Sequence, residues 1–319
     1  MHDGRCRPAG RTAPAAPVSP ILDAPQSLMF TARKQNTLAG TVAVDGFGYW
    51  SGEDVHVEFC PADVDSGIVF VRCDLPGQPR IPARIEHRVE TLRRTSLRRG
   101  DAVVEMIEHI LAALAGLHID NCEIRVDAAE MPGCDGSSLP FVEAFDSVGI
   151  AVQKSLRPQR IVAVPIRLGD GESWIEAYPP SGERSVFRYH LDYGPDVGIG
   201  RQILELAVTP ESFRHELAPC RTFLAKTEAD RARSQGIGWR TTYRDLLVFD
   251  EKGPIDNELR FASECVRHKI LDMVGDLALA GCDLIGRFCA SRSGHRLNAA
   301  LVGELICRAE LSQGWKRCA

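Results

Sequence analysis

An α+β fold in two similar halves is what this chain predicts, and three observations carry it. Each half reads as short alternating strands, then one strongly patterned helix, then more strand. The pattern breaks at KSLRPQR, residues 154–160, and restarts. The apolar fraction of 44% and charged fraction of 25% over 319 residues suit one large or two ordinary globular domains. The expected division is a disordered N-terminal tail (1–30), an N-terminal α+β domain (31–154), a C-terminal α+β domain (155–308) and a C-terminal tail (309–319).

Residues 1–28 are rich in Pro, Ala and Arg, lack periodicity and hold no continuous apolar stretch, so a secretory signal is not expected; Met29 is an alternative start. DVHVEF (54–59) alternates Val55, Val57 and Phe59 with Asp54, His56 and Glu58, the period of a half-buried strand. GIVFVRC (67–73) is a second strand. Residues 103–116 read as the first strong helix, with Val103, Val104, Ile107, Ile110, Leu111 and Leu114 on one face and Gly116 as its stop. CEIRV (122–126) alternates again, and a short helix is expected at 138–148 with Pro140 near its start. Beyond the break, residues 160–166, 173–180, 185–193 and 246–250 read as strands. A helix follows at 262–280, then a strand-like stretch and turn at 284–296, then a closing helix at 297–311.

The net charge of −5 gives no electrostatic case for nucleic acid. No apolar run reaches the ~18 residues a membrane span needs. The eleven cysteines are odd in number, scattered and without a CxxC pair. They read as reduced, mostly buried thiols of a cytoplasmic protein, Cys282 and Cys289 among them.

The chemistry concentrates in VRHKILDMVGD, residues 266–276. His268, Asp272 and Asp276 recur every four residues and so share a helix face, while Val266, Ile270, Met273, Val274 and Leu277 fall on the other. An imidazole and a carboxylate one turn apart both reach one metal ion. A third ligand is available at Glu108-His109, where Ala112 and Ala113 leave room for something to approach. A Glu beside a metal-binding His is suited to take a proton from water. In SRSGHRLN (291–298) a glycine turn presents His295, a candidate acid. CRTF (220–223) offers the Thr222 hydroxyl, and MPGCDGSSLPF (131–141) reads as a turn with capping at Asp135 or Ser137.

Taken in order and spacing, EHILAALAGLHIDN (108–121), MPGCDGSSLPFVEA (131–144), CRTF, SQGIG (234–238), the HKxxD segment with its flanks (258–281) and SGHRLN (293–298) resemble the UDP-3-O-acyl-N-acetylglucosamine deacetylases, zinc hydrolases of lipid A biosynthesis. The resemblance covers roughly 32–306. It implies two α+β domains whose helix layers face each other around the metal. It implies His109, His268 and Asp272 as ligands of Zn2+, with Fe2+ the other metal such a set accepts. Glu108 would be the general base, His295 the acid, Asp276 its orienting carboxylate, Thr222 the oxyanion hydroxyl, and Lys269 and Phe223 substrate contacts. The implied substrate is an acylated UDP-amino-sugar, released as the free amine and acetate by a cytoplasmic monomer with transient contact at the inner-membrane surface. The other readings are a zinc amidohydrolase of the same scaffold for another N-acyl sugar, and a non-catalytic relative. Residues 46–52, 91–100, 223–226 and 238–242 depart from the family pattern, which implies altered acyl or nucleotide contacts.

Overall fold

The computed structural model describes residues 30–317, with side chains through residue 308. The expected tail at 1–30 therefore lies, but for Phe30, outside the described residues. The fold is mixed α+β and is built on two five-stranded sheets of one design. The first sheet contains β1 (Val42–Phe47), β2 (Asp54–Pro61), β3 (Ile68–Arg72), β4 (Arg80–Pro82) and β5 (Cys122–Val126), in the order β1-β2-β5-β3-β4. The second contains β6 (Ile166–Asp170), β7 (Ser173–Tyr178), β8 (Val186–Asp192), β9 (Arg201–Ala207) and β10 (Arg287–Ser291), in the order β6-β7-β10-β8-β9. In each sheet the last strand in sequence enters the middle and runs parallel to the third, while every other pairing is antiparallel. A parallel neighbour requires a crossover connection, and in each sheet that crossover carries a long helix.

In the first half the crossover holds α1 (Glu108–Gly116). The helix read at 103–116 starts later than expected. Ala102–Glu105 is a strand hairpinned to Ser96–Arg99, and Met106 turns the chain with φ +58° before the helix begins. Val103 and Val104 are β-branched, so their apolar pair served a strand equally well. The next helix, α2 (Leu139–Val148), lies where it was expected, with Pro140 in its first turn. It covers the first sheet, where Phe59 packs edge-on against Phe141 and Phe145 with centroids 6.0 and 4.9 Å apart. Val55, Val57 and Phe59 point inward from β2, as the alternation predicts.

In the second half the crossover region adds α3 (Lys226–Ser234), which has no apolar stripe and was not expected, then α4 (Glu264–Leu277). The closing helix α5 (His295–Arg317) begins at His295 itself, earlier than expected, and continues to Arg317 through residues where a tail was expected. The stretch read as one strand at 160–166 is two, Gln159–Ile161 and Ile166–Asp170, pairing with different partners.

Helix α4 packs against α1, α5 and strands β8 and β9. It is therefore buried on nearly every side, and its polar stripe faces protein instead of water: His268, Asp272 and Asp276 are 4%, 3% and 0% exposed. Buried charges on that scale require partners. Among the described residues all cysteines are free thiols; Cys122, Cys220 and Cys265 are buried, whereas Cys282 and Cys289 are only half-buried. Among the described residues no helix is long and apolar enough to cross a membrane.

Candidate metal centre

Helices α1 and α4 bring His109, His268 and Asp272 together. One ligand atom from each lies within 4.8 Å of the other two, and all three residues are buried. The ring centroids of His109 and His268 are 5.1 Å apart in an edge-on arrangement. The contact between His268 Nδ1 and the Cys220 carbonyl is 3.0 Å. A carbonyl only accepts, so Nδ1 carries the proton and Nε2 keeps its lone pair. Asp272 Oδ2 accepts from Lys269 Nζ at 2.7 Å. Its other oxygen, Oδ1, is buried without a hydrogen-bond partner among the described residues and lies 3.4 Å from His268 Nε2 and 3.8 Å from His109 Nε2. Such an orphaned oxygen between two imidazole nitrogens is costly unless a cation fills the gap.

The electrostatics agree. Burial, aided by His268, pushes the His109 pKa down to about 3, and burial lowers His268 as well. Burial thus favours the neutral form of both rings, the form in which an imidazole binds a metal. Burial alone would raise the Asp272 pKa, but Lys269 and then His268 outweigh it and hold the carboxylate ionised. Lys269 is held charged in return: burial would lower its pKa, and Asp272 raises it more. Two neutral imidazoles and one carboxylate form a catalytic-type donor set with positions left open.

Glu108 opens α1, where a carboxylate is favoured by the helix N-terminus. Its Oε2 accepts from the Thr95 backbone N–H at 2.9 Å, and burial raises its pKa to about 7 against the lowering effect of His295. The other oxygen, Oε1, faces His295 Nε2 at 3.8 Å. His295 Nδ1 donates to Asp276 Oδ2 at 2.9 Å. Asp276 also accepts from Asn298 Nδ2 at 2.8 Å and from the Thr95 hydroxyl. The Thr222 hydroxyl donates to the Gly136 carbonyl at 3.0 Å and stands 3.4 Å from Nε2 of each ligand histidine. That position depends on Gly136, whose φ is +82° and whose Cβ, if present, would meet the Asp245 carbonyl at 2.7 Å. In the same loop Asp135 accepts from Ser137 and Arg260, as a capping turn should.

All nine residues singled out from the sequence thus lie around one centre. Phe223 stacks edge-on 6.0 Å from His268, and Lys269 lies on the same wall. They border a cavity of about 580 Å³, walled on its apolar side by Leu224, Ala229, Leu246 and Val248. Sequence reasoning missed Thr95 and Asn298, buried at 1% each. Thr95 sits in no recognisable spacing, because its partners come from other elements; Asn298 lies within SGHRLN, about one turn after His295, and both reach Asp276 Oδ2.

A family model described as UDP-3-O-acyl N-acetylglycosamine deacetylase matches residues 35–307. A UDP-3-O-acyl-N-acetylglucosamine deacetylase of Thermosynechococcus vestitus is 41% identical over 271 residues, covering 85% of this chain and 93% of that one. The corresponding protein of an Anaeromyxobacter species is 37% identical, covering 85% and 88%, and that of Chlamydia caviae is 37% identical, covering 86% and 97%.

Proposed function

The chain belongs to the UDP-3-O-acyl N-acetylglycosamine deacetylase family, and on that premise we propose how its buried centre works. The enzyme is a deacetylase of lipid A biosynthesis: it removes the N-acetyl group of UDP-3-O-acyl-N-acetylglucosamine, giving the free amine and acetate. His109, His268 and Asp272 would hold its metal. The orphaned Asp272 Oδ1 and the Nε2 lone pair of His268 support that assignment, and the donor set favours zinc, with iron(II) next. When bound, such an ion supplies Lewis acidity that polarises the acetamide carbonyl and acidifies adjacent water.

The protein's own groups do the rest. Glu108 Oε1, free of hydrogen bonds, takes a proton from the attacking water, while Oε2 stays anchored on Thr95. Burial keeps the Glu108 pKa near 7, in the range a base needs at neutral pH. Thr222 turns its hydroxyl from the Gly136 carbonyl toward the developing oxyanion. His295, held by Asp276 in the imidazolium form, protonates the departing sugar amine. Lys269 and Phe223 border the substrate, and the apolar wall takes the acyl chain. We further propose a cytoplasmic monomer that meets its acylated substrate at the inner-membrane surface. Its two domains would divide near residue 155, since one sheet draws its strands from 42–126 and the other from 166–291.

The observation that carries this reading is the buried, unpartnered Asp272 oxygen between two neutral imidazoles. Metal content and acetate release, measured for wild type and Glu108→Ala together, test it. One metal per chain in both proteins, with turnover lost in the variant, is expected. Turnover without bound metal, or an active Glu108→Ala, would overturn it.

A further inference from the structure

Thr95, whose backbone N–H anchors Glu108, sits in the basic segment TLRRTSLRRG (91–100) and also carries a hydroxyl. It is 1% exposed, and both of its donors are spent on the proton-transfer groups. Its backbone N–H donates to Glu108 Oε2 at 2.9 Å, and its hydroxyl donates to Asp276 Oδ1. Asp276 Oδ2 in turn receives His295 Nδ1, and His295 Nε2 looks back at Glu108 Oε1 across 3.8 Å. These contacts form a ring that is open only at the gap between base and acid. The surrounding structure fixes the residue at its centre. The Thr95 carbonyl accepts from Ile107 N–H at 3.3 Å, tying it to the residue before Glu108. Thr91 closes the preceding turn by donating to the Arg94 carbonyl at 2.9 Å. Arg94 lies 4.4 Å over the Trp50 ring and pairs with Glu105 at 3.1 Å.

We propose that Thr95 is a positioning residue for the deacetylation. Its hydroxyl and its amide together set the separation and aim of the Glu108 carboxylate and the His295 imidazole, acting on the imidazole through Asp276. The inference rests on the proposed roles of Glu108 and His295. A carboxylate that loses one of three donors is free to swing, and it takes the imidazole it holds with it. The metal ligands make no hydrogen bond to Thr95 among the described residues, so metal loading is independent of it.

The test compares wild type, Thr95→Ser and Thr95→Val, with Thr95→Ala as a second hydroxyl-free variant should the valine protein fail to fold. A hydrogen bond to a charged group makes kcat for UDP-3-O-acyl-N-acetylglucosamine fall about 10- to 100-fold in the hydroxyl-free variants, with KM and metal content unchanged, while Thr95→Ser stays within about 3-fold of wild type. A hydroxyl-free variant at wild-type kcat, or a serine variant as impaired as valine, would overturn the proposal. The same contrast is read without substrate from the downfield Nδ1 proton resonance of His295, assigned by its loss in His295→Gln. It should move in Thr95→Val and stay in Thr95→Ser; a resonance untouched by valine would overturn the assignment. Should wild type release no acetate, the proposed function fails, and the resonance alone decides Thr95.

Discussion

Gly275 on α4 lies directly against the backbone of Glu108 on α1: a Cβ at 275 would stand 2.1 Å from the Glu108 carbonyl oxygen. The helix of the second half thus touches the base of the first main chain to main chain. Gly275→Ala must push the two helices apart, because a backbone carbonyl has no rotamer to escape into. A loss of at least about 1–3 kcal/mol is expected, with weakened metal binding, since the same two helices carry the ligands. Thermal unfolding and metal titration of the variant read both effects; wild-type values for both would refute the contact.

With His295 as the proposed acid, turnover should have an alkaline limit set by that imidazole. Burial by itself would lower its pKa, but Asp276 and then Glu108 raise it to about 9. A raised pKa leaves the imidazolium fully formed at neutral pH and lost as pH climbs through about 9. Turnover should therefore fall on that side. Asp276→Asn removes the foremost raising neighbour, so the alkaline fall should move to lower pH. An unmoved limb in the pH profile of kcat/KM would argue against His295 as the acid.

Thr222→Val keeps the shape of the side chain and removes only the hydroxyl next to both ligand nitrogens. Loss of one oxyanion donor costs on the order of 100-fold in kcat. The metal should remain, which elemental analysis checks beside the kinetics. Equal kcat would release Thr222 from that role.

Metal removal should lower the thermal midpoint, because an ion that binds only the folded state stabilises by about 2.7 kcal/mol at a hundredfold excess over Kd. Zinc added back to chelated enzyme should restore the midpoint. His268→Gln, lacking one ligand, should respond little to either treatment. A midpoint indifferent to chelator in wild type would count against the site.

The buried pair Arg221–Glu264 holds the loop before Thr222 onto α4 at 2.8 Å, with Arg221 also reaching Asn257 and the Glu258 carbonyl. Glu264→Gln strands a buried guanidinium and should cost roughly 3 kcal/mol of folding stability. Denaturant unfolding measures it, and a change below about 1 kcal/mol would place the pair among weak surface contacts.

The legible parts of this molecule were the ones encoded by spacing along one element. His268, Asp272 and Asp276 share a helix face because they recur every four residues, and β2 alternates because its residues do. The start of α1 was not legible. Val103 and Val104 satisfy a helical stripe and a strand alike, and the φ of +58° at Met106 that separates them comes from tertiary packing. Helix α3 has no apolar face to announce it. Thr95 was hidden for another reason: its partners lie 13 and 181 residues away, and no local pattern records such a distance. His268 and Asp272 were legible as a metal-binding pair from spacing, whereas His109 joined the expected set through motif resemblance, since alone it is an ordinary helix histidine until α4 is folded against it.

The working parts are shared out between the halves, with His109, Glu108 and Thr95 in one and His268, Asp272, Asp276 and His295 in the other. Neither half carries all three of the proposed metal ligands or both members of the proposed acid–base pair. On that reading the centre is a lock that takes two keys: a small slip of one half along the other would mis-set metal grip and proton path at once. Substitutions along that seam, far from any substrate atom, would then pass in an activity screen for active-site lesions.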